Sequence, residues 1–250
     1  MGSNRQPYTI DGFTGYPIRE SHRARRMRVQ VSVSGDVDVV VPVGYSPQRI
    51  AQFLVQKQGW IAQTQGRMAQ QRQRRSPEVT QAQPSYIFLR AINQSWQVTY
   101  CPTAQETVAL YASPGRLQLK GAVQQVALCQ RSLQGWVRHV AKQRLVRWLE
   151  RASREVGLPY TGVTIRRQKT RWGSCSSRKA INLNDKLLFL PPEMTRYVLV
   201  HELCHTVHLN HSHDFWALVA QWEPDYKALD QSLRQGWQYV PDWLTAQTGG

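Results

Sequence analysis

Apolar side chains recur along this chain with two different spacings, and the switches between them mark its elements. In 27–33, Met27, Val29, Val31 and Val33 fall at every second position, and the apolar run 37–43 follows Gly35-Asp36. A period of two belongs to a half-buried strand, so 17–43 reads as a two-stranded hairpin with one arginine-rich face. The spacing changes at Ser46-Pro47. Ile50, Phe53, Leu54, Lys57 and Ile61 recur at helical intervals. Ser46 is placed to cap that helix, with Pro47 at its first position, where no amide donor is required. Residues 64–84 are rich in Gln and Arg and nearly devoid of aliphatics, the pattern of a solvated helix end or linker. Three more strands are expected in "SYIFLRAINQSWQVTYCP", "ETVALYAS" and "GRLQLKG".

A long helix is expected over 123–156, with Leu128, Leu133, Trp136, Val140, Leu145, Trp148 and Leu149 as its apolar stripe. Strand spacing returns after Gly157 in "YTGVTIRRQ", "TRWGSCSS" and "KAINLNDKLLFLP". Pro191-Pro192 stops the last of these and opens another helix, whose buried face is read as Met194, Tyr197, Val198, Leu203 and Val207. The fold class is therefore α+β. A mostly antiparallel N-terminal sheet with a helix occupies 1–122, and a helical/β domain built on the Pro192 helix occupies 123–250.

Composition narrows the function. No apolar run approaches the ~18 residues of a membrane span, and the start lacks the pattern of a signal peptide, which points to a cytoplasmic protein. Cys101, Cys129, Cys175 and Cys204 form no C-x-x-C pair, as expected for reduced thiols in that compartment. The net charge of +16 is uneven: 1–184 carry 28 Lys/Arg against 8 Asp/Glu, whereas 185–250 carry 4 against 8. A basic body of this kind favours anionic partners, nucleic acid among them.

Five of the seven histidines lie in "HELCHTVHLNHSH", 201–213. His201 and His205 are one turn apart on a helix, so both imidazoles can reach one ion at the ~2.0–2.1 Å zinc–nitrogen distance. Glu202 takes the second position of H-E-x-x-H, where a carboxylate can act on a water without ligating the metal. A third ligand is needed, with His208, His211, His213 and Glu223 as candidates. His211 is preferred, because Asn210 can adopt a left-handed conformation and turn the chain back. Asn184 and Asp214 are candidates for orienting a ligand imidazole. Tyr197, His208, His213 and Tyr226 are candidates for stabilising an oxyanion.

The motifs "WGSC" (172–175), "INLN" (181–184), "HELCH" (201–205) and "NHSHDFW" (210–216) closely resemble those of the YgjP-like zinc metallopeptidases, related to the WLM and SprT-like minimal gluzincins. The match is strongest over 165–240. The resemblance implies a zinc-dependent peptidase with His201, His205 and His211 as ligands, Glu202 as general base and a protein or peptide substrate. It also implies that "WGSC" is a strand beside the cleft, where an extended peptide can add. Trp172 is read as a core anchor and Cys204 as a packing residue. Two rivals remain: an SprT-like protease acting on DNA-bound proteins, and a non-catalytic nucleic-acid-binding protein with structural zinc.

Overall fold

The structure is a computed structural model that describes residues 16–22, 24–31, 35–73 and 77–246. The chain divides into two compact units, 1–75 and 76–250. The division falls inside the Gln- and Arg-rich stretch. Ala122 and Val123, where the sequence reading puts a boundary, lie within the second unit, because Val123 shares one core with Ile87 and Leu119.

In the first unit, β1 (Ile18–Ser21), β2 (Arg28–Val31) and β3 (Val37–Pro42) form a sheet in the order β1-β3-β2. The β2–β3 pair is the expected hairpin, although Val33 lies outside the described residues. β1 runs parallel to β3, a pairing that the single apolar side chain of "IRES" did not announce. Val37, Val39 and Val41 project from one face of β3 onto Ile50, Leu54 and Ile61 of α1 (Pro47–Gln73). Ser46 Oγ accepts from the Arg49 amide at 3.4 Å, as its position before Pro47 foretells. The helix continues to Gln73, well into the stretch expected to be linker-like.

The second unit opens with α2 (Pro77–Thr80) and a four-stranded sheet: β4 (Tyr86–Leu89), β5 (Gln94–Pro102), β6 (Val108–Ser113) and β7 (Arg116–Gly121), ordered β4-β5-β7-β6. β5 and β7 are parallel, so this sheet too is mixed rather than antiparallel throughout. Helix α3 (Val126–Val156) buries Leu133, Trp136, Val137, Ala141, Leu145 and Leu149. It ends where Gly157 takes a left-handed conformation, φ 69°, and returns its amide to the Ser153 carbonyl.

A third sheet carries the site. β8 (Gly162–Arg166) runs parallel to the central β10 (Ala180–Asn184), and the short β9 (Gly173–Cys175) lies antiparallel on its other side as an edge. Helix α4 (Pro192–Cys204) packs on α3 and β9 and buries Met194, Tyr197, Val198 and Leu203, as the spacing foretells. Val207 does not belong to that face. The helix stops at Cys204, and Val207 is 52% exposed on the turn beyond. Three helices complete the unit: α5 (His213–Trp222), α6 (Tyr226–Leu233) and α7 (Asp242–Thr245). No helix among the described residues is long and apolar enough to cross a membrane.

The segment leading into β9 is fixed by buried polar contacts. Arg167 pairs with the fully buried Asp185, Nη2 to Oδ2 at 2.6 Å, and also donates to the Gln134 carbonyl. Asn184 donates to the Gln168 and Arg171 carbonyls, and Lys186 Nζ donates to Gln168 O at 3.0 Å. Trp172, the expected anchor, stacks on Trp237 with ring centroids 4.2 Å apart. Removing one partner of a buried ion pair leaves the other charged and unpaired, at a loss of about 3–5 kcal/mol. We predict that Arg167→Met lowers stability by that amount in urea denaturation; a loss below about 1 kcal/mol would show that Asp185 does not depend on it.

Candidate metal centre

Helix α4 presents His201 in its last turn and His205 at its C-cap. The backbone then tightens: the amides of Thr206, Val207 and His208 bond to the carbonyls of Leu203, Cys204 and Cys204. Those bonds turn the chain; Asn210 is not in the left-handed conformation expected of it. Ser212 begins α5 by accepting from the Phe215 amide, which holds His211 at the mouth of that helix. The result joins the three expected histidines. One ring nitrogen from each of His201, His205 and His211 lies within 4.8 Å of the others.

These residues fit a metal. His201 Nε2 and His211 Nε2 are 3.1 Å apart, whereas two nitrogens on one tetrahedral zinc are separated by about 3.3 Å. His205 Nδ1 lies 2.9 Å from the His208 carbonyl. That oxygen can only accept, so the proton sits on Nδ1 and Nε2 keeps its lone pair for an ion. Burial, with the neighbouring His205 and His211, pushes His201 down to about 3. Burial also lowers His205, against the hydrogen bond to His208. Both are thus held neutral, the state that ligates. Phe215 packs against all three rings, 4.4 Å from His205 and 4.9 Å from each of the others. Trp216 stacks on His211, and Tyr226 stacks on Trp216.

Glu202 is buried beside this triad. Burial raises its carboxyl to about 8, opposed by the Arg171 guanidinium, and its Oε2 has no hydrogen-bond partner. A buried carboxyl oxygen without a partner is unfavourable unless a water or an ion meets it. Room for this side chain comes from Gly173 on β9. A Cβ at 173 would lie 2.6 Å from Glu202 Oε1 and 2.7 Å from its Cγ.

The other sequence candidates sit elsewhere. His208 contributes its carbonyl, and His213 is 97% exposed beside Asp214. Glu223 pairs with Arg196 Nε at 2.8 Å, and the same guanidinium forms a two-pronged pair with Glu155. Asn184 and Asp214 do not orient a ligand imidazole: Asn184 is spent on the 168–171 backbone, and Asp214 is exposed. The Tyr197 hydroxyl donates to Asp230 Oδ1 at 3.3 Å. Cys204 is fully buried, and burial pushes its thiol up to about 12, in keeping with a packing role. Sequence reasoning missed Gly173, Phe215 and the His208 carbonyl. The glycine in "WGSC" and the aromatic pair closing "NHSHDFW" were the available signals.

Gly173→Ala should force the Glu202 side chain to shift and destabilise the metal-free protein by about 1–3 kcal/mol, the usual range for overpacking. Thermal denaturation should show no such loss in a Glu202→Ala background; an equal loss in both would place the strain somewhere other than this carboxylate.

No curated protein matches the chain. Among solved structures, the crystal structure of the metallopeptidase zymogen of Pyrococcus abyssi abylysin is 28% identical. That match covers 37% of this chain and 94% of the other, with a TM-score of 0.33. The family described as "YgjP-like, metallopeptidase domain" matches residues 25–236. The chain belongs to the YgjP-like metallopeptidases.

Proposed function

We propose that this protein hydrolyses peptide bonds with a zinc ion held by His201, His205 and His211 and with Glu202 as general base. The observation that carries the reading is the convergence of three imidazole nitrogens, with the buried Glu202, whose Oε2 has no hydrogen-bond partner, next in the chain to His201. Zinc bound there supplies Lewis acidity, which lowers the pKa of a water and stabilises charge developing on the scissile carbonyl oxygen. The protein residues do the rest. The two α4 imidazoles are kept neutral by burial, and the His208 carbonyl fixes the tautomer of His205. Glu202, packed against Gly173, takes a proton from the attacking water and passes it to the departing nitrogen in this reading.

A purely structural zinc is less well supported. Such sites are normally closed by four protein ligands, and Glu223, the acidic candidate, is engaged by Arg196. The four free cysteines favour a reducing, cytoplasmic compartment.

The basic character of α3 supports one addition to this reading. Arg144, Arg147, Arg151 and Arg154 are exposed along the helix, and none forms an ion pair among the described residues. We propose this face as the site through which nucleic acid would associate.

Glu202→Gln should retain one zinc per chain while turnover of a peptide library falls about 10²–10⁴-fold, the usual scale for losing a general base. Full turnover in that variant would refute the assigned role. If α3 tethers the protease to DNA, added DNA should stimulate cleavage of a DNA-bound protein, and that stimulation should vanish with rising salt. DNA-independent, salt-insensitive cleavage would remove this addition and leave the peptidase intact.

A further inference from the structure

The β9 side of the metal centre is basic. β9 is an edge strand, and among the described residues no strand pairs with its outer side. Lys169 and Arg171 precede it, and Arg178 and Lys179 follow it on the turn back to β10. All four are exposed, and none forms an ion pair among the described residues. The helices after the histidines carry both signs: Asp214 lies in α5, Asp225 precedes α6, and Lys227 is exposed in α6. Asp214 and Asp225 are exposed, and Asp230 accepts from Tyr197, whose ring lies against His201.

We propose that this cleft selects peptides carrying acidic side chains on both sides of the scissile bond. The inference rests on the peptidase reading and names its substrate class. An extended peptide laid along β9 advances about 3.3 Å per residue, so the three-residue strand spans about 10 Å. Cations at its two ends then meet side chains two or three residues either side of the bond under attack. The unpaired state of these cations favours an incoming carboxylate, since none has to be displaced. A polyphosphate strand fits less well, because it has no amide backbone to pair with the open edge of β9.

The test measures binding as well as turnover. Glu202→Gln protein loaded with zinc is titrated with a labelled peptide bearing Asp and Glu, and with the same peptide carrying Asn and Gln instead. Each exposed charge pair contributes a factor of about two to five, so the acidic peptide should bind at least about tenfold tighter at low ionic strength. The preference should shrink in about 1 M salt, where the Debye length falls to about 3 Å. Replacing Arg171 and Arg178 together with Gln should cut the ratio several-fold. Equal binding of the two peptides, or a ratio untouched by that double replacement, overturns the proposal. Competition by a single-stranded oligonucleotide of equal charge as effective as the acidic peptide would also overturn it, by making the rim a general polyanion surface. Acidic preference in binding, with no peptide cleaved by the unmutated protein, would sink the peptidase reading instead. Cleavage without acidic preference would sink only this inference.

Discussion

Helix α4 stops at Cys204, and the turn that follows brings the His211 ring back within 3.1 Å of His201. Had the helix continued, its next histidine would have been carried a further turn along the axis, out of reach of a common ion. Termination is therefore the constraint on which the site depends. It is enforced from both ends: the amides of 206–208 bond back to carbonyls of the last turn, and Ser212 starts a new helix at once. Phe215, the third residue of that helix, then fills the space among the three rings. One aromatic side chain thus packs the loop imidazole against the two at the end of the helix.

The second requirement is an unusual degree of burial for polar groups. His201 and Glu202 are adjacent on a helix that buries Met194, Tyr197, Val198 and Leu203, with Glu202 buried and His201 partly so. Desolvation pushes the imidazole toward its neutral form and the carboxyl toward its protonated form. Both shifts oppose net charge in an apolar setting; the neutral imidazole is the form that ligates a cation, and a cation nearby would draw the carboxyl back toward its ionised form. The same burial explains the glycine on β9, because a carboxylate packed under an edge strand leaves no volume for a side chain there. The polar clamp around 167–172, with Arg167, Asn184 and Lys186 in fixed roles, sets the height of that strand above the helix.

Much of this was legible from residue order. The i, i+4 spacing of His201 and His205, the apolar face of Met194, Tyr197, Val198 and Leu203, and the Ser46-Pro47 helix start depend on local periodicity, which a sequence displays directly. Relations between distant segments were not legible. The parallel pairings of β1 with β3 and β5 with β7 carry no local signature. Neither does the choice of Arg196 as the partner of Glu223. Asn184 looked like a ligand-orienting residue because it is polar and sits near the motif; its amide is consumed by backbone carbonyls of the preceding loop. The role expected of a side chain beside His205 is filled by the carbonyl of His208, and main-chain acceptors are invisible to motif reading. Asn210 was expected to turn the chain through a left-handed residue, but tight backbone bonds at the helix end did so instead.

The central claim is a shared ion on three imidazoles, two from α4 and one from the loop beyond it. X-ray absorption at the zinc edge on the purified, zinc-loaded protein tests it most directly. The account predicts one zinc per chain with three imidazole nitrogens at about 2.0–2.1 Å and one further light-atom ligand, and His211→Ala should reduce the imidazole number by one. A spectrum that is unchanged in that variant, or one that requires sulfur or four protein ligands, would contradict it.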